Sequence, residues 1–217
     1  MAFFTHELGE GFDLALRDPA TVDGMLALTQ ANIERLRAWE PWAQGEQTRA
    51  GLVAYTNSLM AEWVAGRSLP TVVRSDGKLI GSITCRISRP ARAAELGYWI
   101  DGRFEGRGVV ARGCRAIIGE LAEEGVRRVE IRTAAGNERS RRVAERLGFR
   151  HEETRRRAFP VGSVRHDLVV YALDIGTGAS ARQASARRAD ASQRSERQPR
   201  LPAPARPAPG QRSEERQ

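Results

Sequence analysis

The sequence predicts an α+β fold, a mixed and mostly antiparallel twisted sheet with a single β-α-β unit at its centre. Three observations carry that prediction. Short runs alternate with period two, and Asp76-Gly77 between two of them is a hairpin signal. One strand, Glu95 to Ile100, leads through a glycine turn into a helix whose apolar positions Val110, Cys114, Ile117, Ile118 and Leu121 recur at helical spacing. The elements read β-α-α-α-β-β-β-α-β-α-β-β, so hairpins flank one crossover.

In chain order, Phe12 to Arg17 alternates as a first strand and stops at Asp18-Pro19. Thr21 or Asp23 caps a helix carrying Val22, Met25, Leu26 and Leu28, and Asn32 to Trp39 is a second helical patch. Trp39-Glu40-Pro41-Trp42 breaks it, a rigid aromatic corner that either packs or walls a substrate cleft through Trp39 and Trp42. Thr48 to Ala65 is a third helix with Leu52, Tyr55, Leu59 and Trp63 on one face. Leu69 to Arg74 and Leu79 to Ile87 form the Asp-Gly hairpin, and the strand at Glu95 is a third antiparallel neighbour. Beyond the central helix come a strand, Arg128 to Thr133, and a helix, Asn137 to Leu147, closed by Gly148. Two last strands, Phe149 to Ala158 and Val164 to Leu173, turn about Pro160-Val161-Gly162.

Composition separates a domain, residues 1–175, from a tail, residues 176–217. The tail is Arg, Pro and Ala rich with Leu201 as its one large aliphatic, so it is expected to be disordered. It carries nine arginines against four acids, which leaves +3 of the +8 net charge on the domain. An arginine-rich arm making weak contact with RNA or ribosome is the alternative for it. No apolar run approaches the ~20 residues of a membrane span, and the N-terminus has neither basic flank nor sustained apolar segment. A cytoplasmic protein without membrane contact is expected. Cys85 and Cys114 fall on a strand and on an apolar helix face and have no metal-ligand spacing around them. No metal is expected, and His6, His151 and His166 suggest no triad.

The loop Glu105-Gly106-Arg107-Gly108 is the functional signal. Two glycines let backbone N–H groups approach an anion, the following helix N-terminus adds its dipole, and Arg107 can add a charged fork. A glycine turn is also simply how strands join helices, and Gly106-x-Gly108-x-x-Ala111 with Glu130 downstream satisfies a dinucleotide fingerprint. The flanking hairpins argue against the dinucleotide fold, which needs repeated parallel crossovers.

YWIDGRFEGRGVV followed by GNERSRRVAERLGF resembles the GNAT acetyltransferases over roughly residues 10–175. ELGYWI, the RLRAWEPW corner and Ser140 look like the RimJ/RimL branch, which acetylates protein N-termini, notably of ribosomal proteins. Glu105 stands where the family has Gln or Arg, and Val110 where it has Gly or Ala. The resemblance implies the GNAT fold, acetyl-CoA as cosubstrate, and transfer to a primary amine by direct attack in a ternary complex. It assigns cofactor binding to Trp99, Ile100, Glu105, Gly106, Arg107, Gly108, Val109, Val110 and Asn137, with the pantetheine arm pairing like an added strand near Trp99 and Ile100. Ser140 becomes the acid for the departing thiolate, while Asn137 also suits a helix cap.

Glu95, on the strand side opposite Leu96 and Tyr98, is the expected general base, or else an ordinary exposed carboxylate. The acceptor expected is the N-terminal α-amine of a protein, a ribosomal protein among the candidates, for a monomer or homodimer. A small-amine or antibiotic acetyltransferase, and a non-catalytic acyl-CoA-binding regulator, are the alternatives.

Overall fold

A computed structural model describes residues 5–176; the expectations for the tail lie outside the described residues. The chain forms β1 (Thr5–Gly9), β2 (Phe12–Leu16), α1 (Val22–Ala31), α2 (Ile33–Arg37), α3 (Arg49–Val64), β3 (Ser68–Ser75), β4 (Lys78–Ser88), β5 (Ala93–Ile100), α4 (Val109–Glu123), β6 (Arg128–Ala134), α5 (Glu138–Arg146), β7 (Arg150–Val161) and β8 (Val164–Asp174). One sheet orders the strands β1-β2-β3-β4-β5-β6-β8-β7. Every hydrogen-bonded pair is antiparallel except β5 with β6, which α4 connects; α5 makes a second crossover, carrying the chain from β6 past β8 to β7, which runs parallel to β6. The predicted mixed, mostly antiparallel sheet with a central β-α-β unit is the observed one, but the expected hairpin flank after β6 is instead a crossover, because β8 inserts between β6 and β7.

Alternation along the strands distributes side chains to two faces. Val73, Ile83, Leu96 and Ile131 pack in one cluster with Val109, Cys114, Ile117 and Leu121 of α4. Val72 and Trp99, one position away from residues of that cluster, pack instead with Met25 and Leu28 of α1 and with Leu52 of α3. Both cysteines are buried in the first cluster, where burial pushes their thiols up, as expected of core residues.

Several local expectations change. The chain begins one strand earlier, because Gly9, Glu10 and Gly11 all have positive φ (80°, 56° and 74°) and fold β1 back on β2. Thr21, one of the two expected residues, is the N-cap position of α1, but its side chain makes no capping bond there; Asp18 caps the short 3₁₀ turn Pro19–Thr21 that leads into the helix, its Oδ1 accepting the Thr21 N–H at 3.2 Å. Tyr55 is exposed and lies under the Arg17 guanidinium, while Thr56 joins Leu59 as a buried residue of α3. β7 runs on through Pro160 to Val161, where the sequence suggested a turn. It is the last strand of the sheet, and an edge tolerates a residue without an N–H.

Candidate active site

The central unit opens a cleft in the sheet. β5 and β6 pair in parallel only from Ala93–Arg128 to Leu96–Ile131. Beyond that point β5 continues against β4 as far as Ile100, and β6 continues against β8 as far as Ala134. The strands part, and the Gly97–Ile100 edge facing β6 has no neighbouring strand. Such an edge is a template for an extended ligand bearing amides.

The exit from β5 is rigidly held. Asp101 is buried, its N–H donates to the Ile80 carbonyl at 2.7 Å, and its carboxylate accepts from the Arg103 N–H at 3.0 Å and from the Arg103 guanidinium. The Arg103 bonds hold its carboxyl below the usual carboxylate range. Asn32 Oδ1 accepts the Gly102 N–H at 3.3 Å, which pins this turn to the start of α2. Then Gly106 and Gly108 adopt φ of 76° and 73°, the left-handed region that favours glycine, and Gly108 is the N-cap of α4. A Cβ on either would meet nothing within 4 Å. Backbone, empty space and a helix N-terminus together form a cradle of the kind that holds phosphates.

Splay and cradle open on one cavity of about 640 Å³. Tyr98, Trp99 and Ile100 come from β5, and Glu105, Gly106, Gly108, Val109 and Val110 from the loop and first turn of α4. Asn137, Arg139 and Ser140 come from α5, and Arg35, Trp39 and Glu40 from α2 and the turn after it. The structure thus gathers most of the residues that the sequence singled out, across four separate segments.

Three of them do not line it. Arg107 turns its guanidinium over the Phe104 ring, 5.1 Å from the centroid. Trp42 is 46% exposed, though its indole donates to Glu40 Oε2 at 2.8 Å and its ring lies 6.3 Å from that of Trp99. Glu95 belongs to the stretch of β5 that still pairs with β6, opposite Glu130, and its carboxylate sits between Arg86 at 3.8 Å and Arg132 at 3.6 Å.

Within the cavity the polar groups interlock. Asn137 Oδ1 accepts the Ser140 N–H at 3.2 Å and so caps α5. The Tyr98 hydroxyl lies 3.1 Å from both the Ser140 carbonyl and Ser140 Oγ, and burial raises its phenol well above the ordinary value. Glu105 forms ion pairs with Arg35 of α2 and with Arg139 of α5, the latter at 3.3 Å, so one carboxylate clasps two walls of the cavity.

Sequence reasoning passed over Glu40, although it stands between the two tryptophans that reasoning selected. Burial pushes its carboxyl up to about 7, against the lowering effect of the Trp42 hydrogen bond. The sequence marks Tyr98 only as a residue on the same side of the strand as Leu96. Its contact with Ser140 depends on how α5 lies across β5, which no local pattern encodes.

Residues 13–150 match the acetyltransferase (GNAT) domain family. The putative ribosomal N-acetyltransferase YdaF of Bacillus subtilis (strain 168) is 32% identical over 176 residues, covering 78% of this chain and 94% of that protein. The ribosomal-protein-serine acetyltransferase of Escherichia coli (strain K12) is 32% identical over 103 residues, 46% of this chain and 58% of that one. Among solved structures, the ribosomal L7/L12 alpha-N-protein acetyltransferase RimL in complex with coenzyme A superposes with a TM-score of 0.77 at 22% identity. It covers 79% of this chain and 98% of that one, a likeness of fold.

Proposed function

The chain belongs to the acetyltransferase (GNAT) family and is an acetyl-CoA-dependent N-acetyltransferase, and from that premise we propose that its acceptor is the N-terminal α-amine of a protein, a ribosomal protein in particular. The observation that carries the reading is the meeting of a parted β5–β6 pair with a glycine cradle on one cavity, in a chain whose curated relatives are named for ribosomal acceptors.

The residues fit the cosubstrate. The backbone from Gly106 to Val110 and the N-terminus of α4 would hold its diphosphate, since both glycines leave open the space that a side chain would fill. The free edge of β5 at Trp99 and Ile100 would pair with the amides of its arm. Acetyl-CoA supplies an acetyl group activated as a thioester. Ser140, held by Asn137 and Tyr98, presents a hydroxyl whose proton can pass to the leaving sulfur. A backbone N–H on β5 would polarise the carbonyl oxygen. No covalent enzyme intermediate is needed when both substrates share one cavity, because orientation alone makes attack effectively intramolecular.

Two carboxylates compete for the proton of the amine: Glu95, which the strand pattern favoured, at the closed end of the splay, and Glu40 on the cavity wall.

The test is acetyl transfer to synthetic peptides with the N-terminal sequences of ribosomal proteins, read by thiol release and by mass of the product. Modification of free N-termini, and none of N-terminally blocked peptides that retain lysine, is the expected result. Acetylation of small amines alone would refute the protein acceptor.

A further inference from the structure

We propose that Glu40 is the general base of this enzyme, taking a proton from the acceptor amine from the wall of the cavity formed by the turn after α2. This rests on the acetyl-transfer reading above.

An amine acceptor is largely an ammonium ion at neutral pH and cannot attack until it has lost a proton. The proton acceptor must therefore face the space in which the amine meets the thioester. Among the cavity-lining residues only Glu40 and Glu105 are carboxylates. Glu105 is already engaged on both oxygens, Oε1 by Arg35 and Oε2 by Arg139. Glu40 accepts one side-chain hydrogen bond, from the Trp42 indole to Oε2, and Oε1 receives no hydrogen bond among the described residues.

Its backbone is fixed on both sides. The Glu40 N–H donates to the Leu36 carbonyl at 2.7 Å, and its carbonyl accepts from the Ala43 N–H at 3.1 Å. With the indole as a third restraint, the carboxylate is held rather than free to swing.

Glu40 and Ser140 enter the cavity from different elements and share Tyr98 as a neighbour: Tyr98 bonds to Ser140, and the Glu40 charge helps to raise its phenol. Base and acid thus stand on separate walls of one space. In the reaction the N–C bond forms as the C–S bond breaks. Of the two protons that the ammonium loses on becoming an amide, one goes to Glu40 Oε1 and on to solvent, the other to the departing sulfur by way of Ser140 Oγ.

The surroundings suit a base working near neutrality. Of the cationic groups nearby, Arg35 and Arg139 are held by Glu105, Arg37 by Glu34 at 3.0 Å, and Arg142 by Glu138 at 2.5 Å. Arg146 also lines the cavity, and the His166 ring lies tilted against that of Trp39, 5.8 Å between centroids. None of them enters among the causes that set the Glu40 carboxyl, which burial dominates.

The test uses the full chain, a peptide and a small primary amine as acceptors, and the variants Glu40→Gln, Glu40→Asp and Glu95→Gln. Wild-type kcat/KM should fall below a pH of about 7 with the slope of one proton. Glu40→Gln should lose on the order of 10²-fold and flatten that limb, Glu40→Asp should restore part of the rate, and coenzyme A binding by calorimetry should be unchanged in all three. Independently of turnover, carbon NMR of labelled glutamate should show a carboxyl titrating near 7 that disappears in Glu40→Gln.

The proposal is overturned if Glu40→Gln keeps the wild-type limb, if the limb vanishes in Glu95→Gln instead, or if no carboxyl titrates above the ordinary range. Wild-type transfer to the small amine but not to the peptide would refute the protein acceptor alone, and Glu40 would still be judged on the small amine. Transfer to neither would refute both.

Discussion

A methyl group at Gly108 separates two roles that a glycine can have. Its φ of 73° costs any residue with a Cβ about 1–2 kcal/mol, whatever its neighbours. Because a Cβ there meets nothing within 4 Å, Gly108→Ala should fold without a clash. For a domain of this size ~1 kcal/mol is worth about 2–4 °C in Tm, so the ligand-free variant should melt roughly 2–8 °C below wild type. The free space, however, is where backbone must approach the diphosphate. Acetyl-CoA at about 100 times its Kd adds ~2.7 kcal/mol to wild type, a rise of roughly 5–10 °C, and most of that rise should vanish in the variant.

Gly125 supplies the control. It follows the other end of α4 with φ of 84°, also has nothing within 4 Å, and does not line the cavity. Gly125→Ala should therefore show a similar loss of intrinsic stability and keep the full acetyl-CoA rise. Differential scanning fluorimetry of the three proteins, with and without acetyl-CoA, reads both quantities. An undiminished rise in Gly108→Ala, or an equal loss in both variants, would refute the cradle.

Three other outcomes follow from the same geometry. Ser140→Ala should lower kcat by about 10-fold with KM for acetyl-CoA unchanged in steady-state assays, since solvent can still protonate the sulfur. Glu105→Gln should free Arg35 and Arg139 and tighten acetyl-CoA by roughly 3–10-fold by calorimetry, with a steeper salt dependence; weaker binding would mean that the carboxylate itself serves the ligand. For the ligand-free protein, a Glu40 carboxyl raised from 4.5 to about 7 gives stability that is present below pH 4.5 and lost as pH rises through 7. Glu40→Gln should accordingly stabilise the fold at pH 8 by about 1–2 kcal/mol, discounted for partial exposure, and be close to neutral at pH 4, as followed by urea denaturation.

What the sequence revealed and what it concealed divide along physical lines. β5, the loop and α4 are legible because each signal is local: a period of two, two glycines that the observed φ values require, then a period of 3.6. β1 is not, since a peripheral strand with Leu8 as its only large aliphatic residue has almost no pattern to read, and only the Gly-Glu-Gly turn marks it. β7 is exposed along nearly its whole length for the same reason, so Pro160 dominated the reading of where it ended. The helix over Arg49–Val64 was expected at nearly its true bounds, yet its buried face was misjudged, because Thr56 is hidden by neighbours that lie far away in sequence.

The two carboxylates show the limit most clearly. Alternation puts Glu95 correctly on the side of β5 away from Leu96 and Tyr98, but it says nothing of depth along the splay. Glu95 falls where the two strands still pair, and Arg86 and Arg132 on the neighbouring strands flank it there. Glu40 has no pattern at all: it is a single acid in a turn. Its chemistry arises only when the turn is carried against β5 and α5, so that burial disfavours its charge while the residue lines the cavity with no hydrogen bond to Oε1 among the described residues. A base needs just this combination of desolvation and access, and both are properties of packing. The motif that binds the cosubstrate can be read from a string of residues because backbone conformation does the binding. The group that moves the proton has to be found in three dimensions, because its surroundings set its affinity for that proton.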